Sequence, residues 1–564
     1  MNARTRTGTR EEERTFSLWT AFFVAASSLL WLSRIYTRTR SRLWFDDAFM
    51  FYRYAENLHN GFGMSWNAAG QHTFGETSLV WGAAVWLLTF FPGNPGFKLQ
   101  LLSSICSGLA LVAIAWTVSS LARSSYLRHW MNVLPLVALP LLVAPVFLDN
   151  LATGMETMLA MAMVAAYVGA LLHWLQGRRS SLLCGIVGIL LLLTRPEAGI
   201  VVVLFPCAAF LLLKTQRTVR DLTWFFGRFV VGIVVIGVLT RFYFGTALPL
   251  SFYIKGRHFY EGYKRSWTPA TSFVQFLAAS GLYLATIVLC VRRETSALIS
   301  AFTLPLLAVS FYLLTVLQIM GFSARYYLPY LPLIVIPSLL TLDLALIPKP
   351  REMSESEERP ILRFAGLAIV LYLVAQNYPS SLLYHLDRTF EGRRFAYEEA
   401  DRVTRAKRPL PEISWRESIF IFGDGLVRGL PAGATLASSE VGYIGAIAPQ
   451  VQLIDLSGLN DTNIALHGFR VEDLIRRRPD LIWLPHSDYT FQRGQMFAEP
   501  DFLNKYIVFD DALLYGVAIR KDSPYRVVIE AKWKPLWQTV YPGYPMDDYI
   551  VQSSRWSRTE HEVF

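Results

Sequence analysis

Charge is scarce in this 564-residue chain: Asp, Glu, Lys and Arg together make up 17% of it, where a soluble globular chain carries roughly 25%. A chain so short of solvating groups does not read as a string of water-soluble domains, and 53% apolar residues with a mean hydropathy of +0.34 point to a membrane instead. Cysteine is nearly absent. Cys106, Cys184, Cys207 and Cys290 all lie inside apolar runs, so neither a disulfide framework nor a metal cluster follows from them. The nine histidines form no H-x-x-x-H pair, which removes the helical zinc-protease pattern, and no G-x-x-x-x-G-K-[S/T] or G-x-S-x-G occurs. G-D-G-L-V-R-G at 423–429 lacks the spacing of a dinucleotide loop.

What is present is a series of long apolar runs through the first two-thirds. A bilayer-crossing helix needs about 20 mainly apolar residues, and candidates fall at 16–33, 97–122, 131–148, 153–175, 181–194, 197–214, 223–244, 271–291, 295–320, 326–347 and 361–376. The run at 78–92 is shorter, rich in Trp and Phe, and suits an interfacial helix. Arg-rich Met1–Thr15 precedes an uncleaved first span.

The formal charge of +10 would raise the question of nucleic acid in a soluble chain, but here much of the excess sits in short loops. With 78–92 in the interface, the loops 123–130, 176–180, 215–222, 292–294 and 348–360 fall on the cytoplasmic side, and each carries Lys or Arg. The expectation is an α-helical polytopic membrane protein of about eleven transmembrane helices in the inner (plasma) membrane, N-terminus cytoplasmic. Residues 1–377 form the membrane domain, with a first outer loop at 34–96. Residues 378–564 form an extracytoplasmic α/β domain for acceptor or glycan binding, because A-T-L-A-S, V-Q-L-I-D-L, V-E-D-L-I-R-R-R and D-L-I-W-L-P read as strand, strand, helix, strand.

This threading gathers the polar residues of the membrane half on the outer face. Asp46 and Asp47 open F-D-D-A-F-M-F-Y-R-Y-A-E-N-L, and two adjacent carboxylates near a membrane are costly unless solvated, paired or used. Asp46 is also placed to cap a helix running to about Leu58 that Gly61 ends. Arg195, Arg325 and Lys255 are candidates for a phosphate clamp, since arginine binds phosphate through charge-assisted bidentate bonds; the alternative is a snorkelling anchor. Glu156, at the mouth of a span, is a functional candidate or the partner of a nearby arginine. His72 and Glu76 either line an acceptor groove or are solvated loop residues.

Several segments, in order, resemble the GT-C superfamily of polyprenol-phosphate-sugar-dependent glycosyltransferases, and within it the branch of terminal arabinofuranosyltransferases of bacterial cell-wall arabinan. They are F-D-D-A-F-x-x-x-R-Y-A-E-N-L from Phe45, G-F-G-M-S-W-N at 61–67, G-E-T-S-L-V-W at 75–81, T-G-M-E-T at 153–157 and T-R-P-E-A-G at 194–199. F-G-T-A-L-P-L-S-F-Y-I-K at 244–255, which contains Tyr253, and A-R-Y-Y-L-P at 324–329 follow, then V-G-Y-I-G-A and D-L-S-G-L-N-D in the outer domain. The chain departs from the family at Phe74–Ser78 and lacks a Gly-Asp pair before Arg325, which leaves the sugar and acceptor open.

The resemblance implies that a first-loop acid activates an acceptor hydroxyl, a role falling on Asp46 with Asp47 as second choice or orienting partner. Arg325, Arg195 and Lys255 then stabilise the departing lipid phosphate, and Glu76, Glu156, His72 and Tyr253 contact substrate. The partners implied are a polyprenyl-phosphate sugar, a glycan or glycolipid acceptor and the bilayer, with no nucleic acid. No cofactor is required, and a divalent metal stays open. The rival classes are a transporter or flippase of lipid-linked saccharides, which needs polar groups through the membrane depth, and a glycan sensor without turnover.

Overall fold

The computed structural model describes residues 4–43, 45–68, 70–255, 268–316, 318, 321–347, 368–374, 376, 410–485 and 489–551. Among the described residues, fourteen α-helices lead up to residue 347: α1 (Arg4–Thr39), α2 (Asp46–His59), α3 (Leu79–Thr89), α4 (Pro95–Leu121), α5 (Trp130–Leu141), α6 (Pro145–Leu151), α7 (Thr157–Leu175), α8 (Ser181–Thr194), α9 (Gly199–Leu212), α10 (Val219–Phe244), α11 (Leu250–Lys255), α12 (Thr268–Cys290), α13 (Ser296–Thr315) and α14 (Pro332–Leu346). From Trp415 on, short helices alternate with strands: α15 (Trp415–Phe422), β1 (Thr435–Ser438), α16 (Gly442–Ile447), β2 (Gln452–Asp455), α17 (Thr462–His467), α18 (Val471–Arg477), β3 (Leu481–Trp483), α19 (Thr490–Ala498), α20 (Pro500–Lys505), β4 (Tyr506–Phe509), β5 (Val517–Arg520) and α21 (Arg526–Val540). The chain is a polytopic α-helical membrane protein with a C-terminal α/β segment.

Among the described residues, six helices are long and apolar enough to cross a membrane: Leu18–Thr39 of α1, then α4, α7, α10, α12 and α13. Two bent pairs raise the number to eight, α5 with α6 at 99° and Phe322–Tyr330 with α14 at 53°. Proline accounts for the breaks. Pro135 and Pro140 lie inside α5, Pro145 opens α6, and Pro332 opens α14, and each lacks the N–H that would continue the helical ladder. The runs at 131–148 and 326–347, expected among about eleven spans, are thus each bent within one span. The runs at 181–194 and 197–214 form 14-residue helices, about 21 Å at 1.5 Å per residue and short of a ~30 Å core. The run at 361–376 lies mostly outside the described residues. The run at 78–92 forms the 11-residue α3, too short to span.

Contacts divide the chain into two compact units, Met1–Leu43 with Phe97–Val234 and Ser266–Asp387, and Trp44–Gly96 with Val235–Arg265 and Arg388–Phe564. The second unit thus takes in the first loop and α11 as well as the C-terminal third, and the expected boundary at 377/378 falls outside the described residues.

The first unit has two chemically different ends. At one, Arg217 donates to the Trp174 and Arg179 carbonyls, Gln216 N–H to the Leu175 carbonyl, and His173 bonds Ser120. The Arg123 and Ser124 amides donate to Asp343, and Arg292 to the Leu344 carbonyl. The basic loops after α4, α7, α9 and α12 therefore meet at the end of α14 that leads toward 348–360. One helix length away, Arg38 pairs with Asp149 at 2.9 Å, Ser323 donates to Asp149, Asn150 donates to the Ser323 carbonyl, and the Gly154 amide donates to Ser103.

The second unit is built around a five-stranded sheet of order β2-β1-β3-β5-β4, with β1 parallel to β2 and β3, and β5 antiparallel to β3 and β4. Every residue of β3 and β5 is buried, including Arg520 at the end of β5, which pairs with Asp480.

Candidate active site

The first-loop acids open α2. Phe45, at its N-cap, contributes no side-chain cap, and Asp46 does not cap its own helix as expected. Its carboxylate caps α16 instead: Oδ2 accepts the Gly442 N–H at 2.8 Å and Oδ1 the Tyr443 N–H at 2.7 Å. Position 442 must be glycine, because a Cβ there would run into the Asp46 carbonyl oxygen. Asp46 is buried, and burial lifts its carboxyl to about 6, with the charges of Asp47 and Asp455 adding to the rise and the two amide bonds opposing it. Asp47, the next residue on the same turn, is half-buried. Gly61 follows the end of α2 with φ +83, as the sequence foretold.

Arg53, one side of α2 further on, is 1% exposed. It donates to the carbonyls of Trp66, Gly445 and Val451 at 2.7, 2.8 and 2.9 Å and to Asn67 Oδ1 at 2.9 Å. The remaining first-loop motifs pack beside it. His72, exposed, stacks on Tyr243 at 4.3 Å with the rings nearly parallel, and Phe74 stacks on Phe244 at 4.6 Å. The Leu250 N–H donates to the Phe74 carbonyl at 2.7 Å, which ties down α11, where Tyr253 and Lys255 are half-buried.

Asp455 closes the D-L-S-G-L-N-D turn by accepting from the Ser457 amide and from both the amide and side chain of Asn460, each at 2.8 Å. Burial raises its carboxyl to about 6. Gly75 lies so close to Asn460 and Tyr54 that a side chain there would strike both. Glu76 is buried rather than solvated. Neither of its carboxyl oxygens has a hydrogen-bond partner, the group rests against Gly82 of α3, and burial raises it well above the usual carboxylate range.

The first unit carries the other candidates. Arg195 is 3% exposed and donates to Glu156 at 3.0 Å and Glu197 at 2.6 Å, so Glu156 does have the arginine partner foreseen for it. Arg195 and Arg325 both lie over the Tyr326 ring, 4.9 and 5.1 Å from its centroid. Arg195 is thus committed to two carboxylates, and Arg325 is also buried. Ser323 and Ala324, just before Arg325, have φ of 50 and 54, a left-handed pair rare for residues with a side chain and typical of functional segments.

The structure therefore collects Asp46, Asp47, His72, Glu76, Tyr253 and Lys255 in one unit and Glu156, Arg195 and Arg325 in the other. Gly442, Tyr443, Arg53 and Asp455 were not singled out from the sequence, although their motifs were. Among the described residues no group of three or more His, Cys, Asp or Glu side chains is arranged to hold a metal ion. Gly423–Val427, within the glycine-rich stretch, is a π-helical turn.

A family model for a domain of unknown function, DUF8728, matches residues 414–552. No curated protein matches the chain. Among solved structures it is similar to the archaeal oligosaccharyltransferase AglB from Archaeoglobus fulgidus, solved in complex with an inhibitory peptide and a dolichol-phosphate, at 14% identity and a TM-score of 0.45 over 90% of this chain and 75% of that one. A likeness that loose carries no functional weight.

Proposed function

We propose that the protein is a GT-C-type glycosyltransferase that passes a sugar from a polyprenyl phosphate to a cell-envelope glycan or glycolipid. The observation that carries this reading is the pair of adjacent acids at the start of α2: Asp46, buried and fixed by two backbone amides, stands beside the half-buried Asp47, to which we assign the part of base. Asp47 takes the proton of the acceptor hydroxyl as that oxygen bonds to the anomeric carbon. The bond from that carbon to phosphate oxygen breaks, and its electron pair leaves with the lipid phosphate. Positive charge develops at the sugar, as in other glycosyl transfers, and Arg325 stabilises the departing anion. The positive-inside rule places the basic-loop end of the first unit in the cytoplasm, and with it the N-terminus, the C-terminal domain lying outside.

The test is release of polyprenyl phosphate by the purified full chain from pentosyl and hexosyl lipid donors, the arabinofuranosyl donor among them. Release that disappears in an Asp46→Asn/Asp47→Asn double variant supports the reading. Full activity in that variant, or movement of the lipid-linked sugar across a vesicle membrane without release, refutes it.

A further inference from the structure

Among the deeply buried polar atoms without a hydrogen-bond partner at the end of the first unit away from its basic loops, Asn150 Oδ1 included, are Glu156 Oε2, Thr157 Oγ1 and Tyr330 Oη. Their residues are 4%, 0% and 1% exposed. Native interiors rarely leave such atoms unmade, and a bound group is one standard reason for them. The three share one neighbourhood. Glu156 precedes Thr157 at the start of α7, its other oxygen is held by Arg195, the turn Leu328–Tyr330 packs on α7, and the Tyr330 hydroxyl is within electrostatic reach of Arg195 and Glu197.

The kind of ligand follows from what the three atoms lack. An ionised Glu156 Oε2 can only accept, and it needs a donor. A phosphodiester offers acceptors alone and would set its charge against that oxygen. A sugar diol does both, donating one O–H to Glu156 Oε2 and accepting from the Thr157 and Tyr330 hydroxyls.

We propose that Glu156, Thr157 and Tyr330 form a subsite for the hydroxyls of a neutral sugar ring, with Arg195 as the positioning residue that holds Glu156 in place. Under the glycosyl-transfer reading, on which this rests, that ring is the sugar of the lipid donor, and the phosphate lies elsewhere, toward Arg325.

The experiment compares binding of bare polyprenyl phosphate and of polyprenyl-phosphate sugars to the full chain in nanodiscs, for wild type, Tyr330→Phe and Thr157→Val. Each variant should weaken binding of the sugar-bearing lipid by roughly three- to tenfold, the worth of one neutral hydrogen bond. Binding of the bare lipid phosphate should not change. Melting temperatures should hold or rise, since each variant deletes a hydroxyl that is unpartnered without ligand. Equal weakening toward both lipids overturns the subsite by placing the hydroxyls on the phosphate, and no weakening toward either overturns it by leaving them to water. A wild type that discriminates the sugar, with variants that do not, yet releases no polyprenyl phosphate, refutes glycosyl transfer while the subsite stands.

Discussion

Replacing Asp46 by alanine should loosen α16 more than it disturbs any other helix, whereas replacing Asp47 by asparagine should stop turnover and leave α16 in place. Without the Asp46 carboxylate, the amides of Gly442 and Tyr443 lose their acceptors at 2.8 and 2.7 Å. Each such orphaned group costs about 1–3 kcal/mol, so the gross loss is about 2–6 kcal/mol. An opposing gain comes from removing a buried charge. The Asp46 carboxyl sits at about 6 instead of 3.8, which at neutral pH corresponds to about 3 kcal/mol.

The sign follows from linkage. Because the folded value lies above the unfolded one, Asp46 favours the fold most below pH 3.8, loses that advantage as pH climbs to about 6, and changes nothing further above it. The destabilisation by Asp46→Ala should therefore be about 2 kcal/mol greater at pH 4 than at pH 7.5. Hydrogen exchange of the 441–447 peptide at both pH values reads this directly, since local opening energies appear as lost protection. In parallel, Asp47→Asn should reduce polyprenyl phosphate release by about 10²–10⁴-fold, the usual worth of a general base, with 441–447 still protected. Unchanged protection in Asp46→Ala at both pH values would refute the structural role. An inactive but fully protected Asp46→Asn beside an active Asp47→Asn would return the base to Asp46.

Gly82→Ala should drive the Glu76 carboxyl from its place against α3 and lower stability by about 1–3 kcal/mol, the common penalty of overpacking; thermal melting in detergent checks it. Glu76→Gln should be close to neutral at pH 5 and increasingly stabilising relative to wild type as pH rises, because burial raises the wild-type carboxyl well above its ordinary 4.5 and only the glutamate must then ionise. Arg53→Lys keeps the charge but not the fan of donors to three carbonyls and Asn67, and it should cost about 2–4 kcal/mol. A melting temperature unchanged from wild type would contradict the role given to Arg53.

The apolar runs located most of the helices, since hydropathy is a local property of about 20 residues. The bends at Pro145 and Pro332 were not legible in them, because run length does not register a bend. In the C-terminal third, β1, β2, α18 and β3 were all legible from alternation and helix spacing. β4 and β5 were not singled out, although they are no shorter than β1 and β2. The Arg195–Glu156 pair was anticipated as one of two readings, helped by the motif that sets Glu197 two residues from Arg195. Asp46 was marked as a helix cap but given the wrong helix. Its partner amides lie 396 and 397 residues away, and nothing within a local window tells a carboxylate which helix end will reach it. Glu76 was legible as a polar loop residue and illegible as a buried one, because its burial depends on Gly82 and on chain far from it in sequence.

The bonds of Arg53 also set a timetable. Its carbonyl partner Gly445 is 392 residues downstream, and at a synthesis rate of about 5–20 residues per second that is a wait on the order of 20–80 s. During this interval α2 has been made but has neither the carbonyls that will accept from Arg53 nor the amides that will bind Asp46. The nascent first loop must stay soluble and uncommitted through most of translation, with two of its charged side chains still hydrated. Folding of the second unit is thereby tied to the synthesis of α16, and a chain terminated before it leaves the ribosome with its first loop unmatched.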